Sequence, residues 1–493
     1  MRQRTWRMAA VAAFVSVASP VVAQQALSPV TIAAPIVTAH RGTFGGTAIA
    51  YDAVVEPVVV DGLDGKPAAR LVATSYIARG RERDRPVAFV FNGGPIGPTA
   101  LLHMGMFGPK RVAVPDDLSA DPATFRVVDN PYMPLDATDI VIFDPANTGY
   151  SRTLPGVAPE SQFSNAADAR QLAQLVQRWR VLHDRPGAPV YLIGESYGTM
   201  RAVEAADQLR RAGDPVAGIM LLGQAVNILE YAQRPNNIVS YAVSLPTLAA
   251  IGWAQGKVRA QGRTFEQFIR AAQDYGAGEY LTTLFQGDRA TPERQAAVAA
   301  RLEAFTGLPA AEFVKARLKV SKVAYQKLLL PGRRLDTNDA RYVVPAGAEG
   351  AAYNSRHTPE VVRLFHDELG VPAAAGVYAT GNPAEAYFTR WGWAPVVSPF
   401  LDMPYVGQLK TVLDTQPATR LFVGNGYFDT QTTIGAMDYL VAQSGLPRDR
   451  VTTRYYWGGH MFYTVEASAK ALGDDVRRFV APNAVAGPAA VRP

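Results

Sequence analysis

The chain has 493 residues, more than one ordinary domain, so it holds either two domains or one core carrying a large insertion. Hydrophobic residues make up 48% and charged residues 19%, a globular balance. The formal charge of +6 is spread without the like-charge block that binds nucleic acid or a membrane surface. Cysteine is absent, which excludes disulfides, a thiol nucleophile and a Cys-ligated metal.

The N-terminus reads as an export signal over residues 1–23. Arg2, Arg4 and Arg7 precede a short apolar run over 8–18, and Val21, Val22 and Ala23 offer small residues before a cleavage point at Gln24. The run is too short to span a bilayer, so a secreted or periplasmic protein without membrane insertion is expected after cleavage. Alternating, Val-rich stretches at 47–60 and 70–78 flank Asp61-Gly62 and Asp64-Gly65, the signature of a hairpin. Buried-type strands follow at 87–91, 140–143, 190–193 and 218–222. A helix capped by Ser164 is expected over 166–182, and another after Gly198. Strands alternating with helices predict an α/β chain with a mostly parallel sheet.

From 229 to 406 helical signals dominate, with a capping box at Thr264 and Gln267 and a helix running from Pro292 to a stop at Gly307. We read 24–228 and 407–481 as two parts of one core, 229–406 as an inserted helical cap, and 482–493, rich in Pro, Ala and Val, as a flexible tail. The sheet resumes at 420–423 and 451–456.

Gly194-Glu195-Ser196-Tyr197-Gly198 sits between a strand and a helix. This is the context in which Gly-x-Ser-x-Gly forms a tight corner that lifts a serine hydroxyl above a sheet. The helix N-terminus behind it favours developing negative charge. Ser196 then needs a base and an orienting acid, which in the α/β-hydrolase fold follow in the order Ser, Asp, His. Of the six histidines only His460 lies beyond the point where the sheet resumes, in the loop Gly458-Gly459-His460. Asp429 follows the strand at 420–423 and is the expected acid, with Asp438 and Asp449 as competitors. An oxyanion hole requires two backbone N–H groups, expected from Tyr197 and from Gly94 in Asn92-Gly93-Gly94-Pro95. No His-x-x-x-His or Glu-paired His cluster calls for a metal, and no cofactor is expected. Trp253, Tyr353, Trp391 and Trp393 are candidates to line the pocket, and buried packing explains each equally well.

Together these segments resemble the serine carboxypeptidase family along nearly all of the chain after residue 23. Asn92 to Pro95 is similar to its Asn-Gly-Gly-Pro-Gly loop, Asp144 to Ser151 to its Asp-x-x-x-x-Gly-[Phe/Tyr]-Ser segment, and Gly194 to Gly198 matches Gly-Glu-Ser-Tyr-Gly without change. Gly426 to Asp429 and Gly459 to Met461 look like its acid and base motifs. The resemblance implies hydrolysis of the C-terminal peptide bond of peptides with a free C-terminus, through an acyl-enzyme on Ser196. It assigns Asn92, Gly93 and Glu195 to the substrate's carboxylate. Two carboxyl groups share a site only if one holds a proton, so activity falling above neutrality is expected. Ile96 stands where the family has Gly, and Met106 where many members have a Glu paired with the residue at 195. The alternatives are an esterase or acyltransferase on the same scaffold, or an exported binding protein with a decayed site. Oligomeric state is not legible.

Overall fold

The structure, a computed structural model, describes residues 30–481 apart from 82, 349, 382–389, 397 and 399. The export signal and the tail expected at 482–493 lie outside the described residues. One ten-stranded sheet organises the chain. Its first three strands, Ile36–Phe44, Thr47–Asp61 and Pro67–Ala78, form an antiparallel meander. The second turn closes where expected, with the Gly62 N–H donating to the Lys66 carbonyl at 2.8 Å and Gly65 at a φ of 79°.

Pro67–Ala78 also pairs antiparallel with Asp139–Ile142, and from there the sheet is parallel. The spatial order continues Val87–Phe91, Val190–Glu195, Gly218–Leu222, Arg420–Gly426, Val451–Tyr456. Val87–Phe91, Asp139–Ile142 and Gly218–Leu222 are buried at every position, which is why they read as continuous apolar runs.

Helices cover both faces. On one, Asn165–Leu182, Gly198–Arg211 and Tyr405–Thr415 pack Leu172, Trp179, Met200 and Leu409 against the sheet. On the other, Glu466–Val480 and His357–Asp367 contribute Leu472, Phe479, Val361 and Phe365. Leu245–Ala254, Phe265–Tyr275, Pro292–Thr306 and Lys322–Leu328 build a third core of their own. Local signals act as read. Ser164 accepts from the Ala167 N–H at 3.1 Å, Thr264 and Gln267 form a reciprocal capping box, and Gly307 closes its helix at a φ of 73°. Because the strands after Pro67–Ala78 are parallel, the loops leaving their carboxyl ends gather along one edge, where ligands bind in such sheets.

Candidate active site

Ser196 follows directly from Val190–Glu195 and precedes Gly198–Arg211. Its φ is 58°, a left-handed conformation uncommon outside glycine and typical of a strained functional corner. The corner is held by the Ser196 N–H donating to the Leu222 carbonyl at 2.9 Å. Gly194 is sterically required, since a Cβ there would overlap the Gly198 carbonyl, and Gly198 is tightly packed, since one there would lie 3.0 Å from the Asn92 carbonyl. The Asn92 loop presses on the same corner. A Cβ at Gly93 would come within 2.7 Å of the Tyr197 nitrogen and 2.9 Å of the Ser196 Cβ.

Asp429 and His460 emerge beyond the last two strands of the sheet, Arg420–Gly426 and Val451–Tyr456, and meet. His460 Nδ1 and Asp429 Oδ2 are 2.6 Å apart, both side chains buried. The same Oδ2 accepts from the Thr432 hydroxyl at 2.6 Å, while Oδ1 accepts the Gln431 and Thr432 N–H groups at 2.7 and 3.0 Å. With Nδ1 committed to the carboxylate, Nε2 is left as the proton acceptor. Burial disfavours the imidazolium, but the Asp429 charge and hydrogen bond, with Glu195 behind them, raise the His460 pKa to about 9. A Cβ at Gly223, just beyond Gly218–Leu222, would lie 3.0 Å from His460 Cε1, so the ring sits over the strand next to the one that carries Ser196. Ser196 and His460 line one cleft of about 320 Å³ together with Asn92, Gly93, Gly94 and Glu195.

The competitors are placed elsewhere. Asp438 bonds Gln273 and Tyr455 from the helix Ile434–Gln443, and Asp449 is exposed in the turn Arg448–Arg450. His103 is buried against the Tyr76 hydroxyl at 2.6 Å, and His183 pairs with Glu56.

Glu195 is buried beside the nucleophile, and the Asn92 amide donates to its Oε2. The amide is oriented from its other end, since Asn92 Oδ1 accepts the Leu102 N–H at 2.9 Å. Glu195 Oε1 has no hydrogen-bond partner among the described residues, and the Tyr463 hydroxyl lies near the carboxyl without meeting hydrogen-bond geometry. Burial pushes the Glu195 carboxyl up to about 7, against the opposing pull of the His460 charge and the Asn92 hydrogen bond. Met106 is sealed in the core, its Cε 3.3 Å from where a Cβ on Gly473 would stand. Ile96 takes a φ of 58° and is buried. It holds the left-handed conformation that glycine adopts freely, at a cost of roughly 1–2 kcal/mol for a side-chain-bearing residue. Asp144 braces this loop by accepting the Thr99 N–H at 2.6 Å, and the Ser151 hydroxyl donates to the Asp144 carbonyl at 2.7 Å.

Of the two readings open for the aromatic residues, packing is the one the structure takes. None of Trp253, Tyr353, Trp391 and Trp393 is among the residues lining the cleft. Trp253 packs on Phe265 and Phe268, Tyr353 stacks on Tyr342, and both Trp391 and Trp393 meet the Tyr197 ring edge-on. Their aromatic area is spent in packing, and the lining falls to Asn338, Asn354, Thr358, Gln431 and Met461.

The sequence reading also missed a support beneath the nucleophile. Arg201 is fully buried, donating to the Asn92 carbonyl at 2.8 Å and to Asp168 at 2.7 Å, and Asp168 accepts from the Tyr197 hydroxyl at 2.9 Å. This ties the Asn92 loop to the residue after Ser196. Among the described residues no cluster of three or more His, Asp or Glu side chains could hold a metal ion, and no helix is long and apolar enough to cross a membrane.

No profile of a known protein family matches the chain, and no curated protein does. Solved structures match. Kex1(delta)p, a prohormone-processing carboxypeptidase from Saccharomyces cerevisiae, aligns at a TM-score of 0.54 and 13% identity, covering 87% of this chain and 91% of its own. A thermostable carboxyl esterase from Bacillus coagulans aligns at a TM-score of 0.36 and 13% identity, over 86% of this chain and 97% of its own. A proline iminopeptidase from Mycobacterium smegmatis aligns at 0.31 and 13%, over 90% and 97%. The fold is the α/β-hydrolase fold: a mostly parallel sheet flanked by helices, with the Ser196 corner, Asp429 and His460 in the chain order of that fold.

Proposed function

We propose that this protein is a serine hydrolase that removes residues from the free C-terminus of peptides. The observation that carries the reading is the Asn92–Glu195 pair, buried in the same cleft as Ser196 and His460. Ser196 Oγ attacks the last peptide carbonyl as His460 Nε2 takes its proton, and Asp429 holds the imidazole and stabilises the imidazolium. The N–H groups of Gly94 and Tyr197 receive the oxyanion. His460 returns the proton to the leaving amine, and water then releases the acyl group from Ser196. The leaving residue's carboxylate is met by the Asn92 amide, the Gly93 N–H and a protonated Glu195. Export through residues 1–23 is part of the same proposal.

Mass spectrometry of defined peptides tests it. We expect stepwise loss of single residues from the C-terminus, and a C-terminally amidated copy to react on the order of 10²-fold more slowly, since the buried pair is then left without its charged partner. Equal rates on both, or cleavage of small esters alone, would favour the esterase alternative.

The pH dependence follows from the two shifted groups. Below about 7 both Glu195 and His460 carry a proton, between about 7 and about 9 the pair holds one, and above about 9 none. Peptide hydrolysis needs the proton on Glu195 and none on His460, which is one proton in all. The expected kcat/KM for a blocked dipeptide is therefore a bell bounded near 7 and 9, with its alkaline fall above His460 titration and not just above neutrality. A small neutral ester needs only the neutral imidazole, so its profile rises and stays high. An alkaline fall shared by both substrates would remove Glu195 from carboxylate recognition.

A further inference from the structure

Residues 336–342 form the tip of a small antiparallel hairpin, Arg333–Leu335 with Val343–Pro345, contributed by the segment inserted between the two parts of the core. The tip is built around a buried Asp336. Its Oδ1 accepts the Asn338 and Asp339 N–H groups at 2.8 and 2.9 Å, and its Oδ2 accepts the Ala351 N–H at 2.8 Å. So prepared, the tip inserts between the loop that carries Asp429 and the loop that carries His460. Toward the acid, the Ala340 N–H donates to the Phe428 carbonyl at 3.1 Å, the Thr430 hydroxyl to the Thr337 carbonyl at 2.6 Å, and the Gln431 amide to Asn338 Oδ1. Toward the base, the His460 N–H donates to the Asn338 carbonyl at 2.6 Å and the Gly459 N–H to Asp339 Oδ2 at 3.0 Å. The approach is close enough that a Cβ on Gly459 would overlap the Asn338 carbonyl and the Asp339 backbone. Asp339 is itself buried and is oriented by Arg341, whose Nε and Nη2 lie 3.0 and 2.6 Å from its oxygens.

We propose that Asp339 is a positioning residue for the catalytic base: it anchors the Gly459–His460 backbone, so the inserted hairpin sets the Asp429–His460 contact from outside the sheet. A buried Asp–Arg pair that merely fastens the insertion would stabilise the fold without bearing on the imidazole. What separates the two is that the Asp339 acceptor is spent on the Gly458–Gly459 peptide unit, one residue before His460, while the adjacent Asn338 carbonyl takes the His460 N–H itself. The inference rests on the hydrolase reading, because it concerns the reactivity of the same triad.

The test compares Asp339→Ala with Asp339→Asn, which keeps an oxygen for the Gly459 N–H. Each is also made in an Arg341→Met background, so that an unpaired buried guanidinium does not decide the outcome by unfolding the chain. The readouts are kcat and KM on a small ester, the rate of inactivation by a fluorophosphonate as a function of pH, and Tm. We expect Asp339→Ala to lower kcat and the inactivation rate on the order of 10²-fold with KM little changed, as a misplacement near 1 Å does. Its pH midpoint should fall below about 9, because the contact that raises His460 is loosened. Asp339→Asn should recover most of the rate and the midpoint in either background. Loss of Tm alone, with rate and midpoint kept by the Ala variants, would overturn the proposal. A wild-type protein that neither hydrolyses the ester nor takes the label would instead overturn the hydrolase reading.

Discussion

Replacing Ser196 with Ala is expected to lower kcat by about 10⁶-fold on peptide and ester alike, and to abolish fluorophosphonate labelling. The size follows from what Ser196 does in the proposed reaction: it forms the covalent bond through which every turnover passes, and no neighbouring group can take its place. The fold should be indifferent. The corner depends on the Ser196 N–H to the Leu222 carbonyl, which Ala retains. Alanine at a φ of 58° carries the same kind of backbone strain as serine, and the side chain is half-buried, so stability should change by less than about 0.5 kcal/mol. Circular dichroism and Tm should therefore match the wild type while the label is lost. Turnover at more than a hundredth of the wild-type rate would end the assignment of Ser196.

The nucleophile corner was legible in the sequence because its geometry leaves almost no freedom in residue type. A Cβ at Gly194 would meet the Gly198 backbone and the Phe91 ring, one at Gly198 would press on Phe91 and the Asn92 carbonyl, and that crowding is written in the sequence as two glycines around a serine. The acid and base were legible for a different reason: chain order and the end of a strand limit where a loop can project over a parallel sheet. The aromatic lining was not legible, because a tryptophan in a wall and a tryptophan in a core follow the same pattern. Trp391 and Trp393 went to the Tyr197 ring behind the nucleophile. Arg201 was missed because an arginine in an amphipathic helix reads as a solvated face, whereas this one is enclosed by Phe91, Phe143 and Tyr197 and reaches back to Asn92. Asp339 was missed because its partner is 120 residues away and no periodicity announces it. Ile96 shows the converse. The sequence marked it as a departure at a glycine position, and the backbone nonetheless holds the left-handed turn there.

Replacing Asp429 with Asn should lower kcat by about 10⁴-fold, through the tautomer of His460 more than through loss of structure. Asp429 Oδ1 is fixed by two backbone donors, Gln431 and Thr432, at 2.7 and 3.0 Å. An asparagine keeps its oxygen there, because turning the amide group toward two N–H groups would leave three donors facing one another. The NH₂ then faces Nδ1, which must become an acceptor, and the ring proton moves to Nε2. In that state Nε2 cannot take the proton of Ser196. The same substitution removes the charge that opposes burial, so the His460 pKa should fall from about 9, and the pH midpoint of the residual activity should fall with it. Stability gives an independent reading. The folded pKa of His460 lies above its unfolded value of 6.5, so the stabilisation linked to its proton is fully present below 6.5 and is lost as pH rises through about 9. The Tm deficit of Asp429→Asn should therefore be largest in a melt taken below 6.5 and smaller in one taken above 9, where the neutral imidazole still donates Nδ1–H to the carboxylate, the charge-assisted bond being worth about 1.5–3 kcal/mol. A deficit that does not change with pH would mean that the loss of rate came from disrupted packing and not from the imidazole.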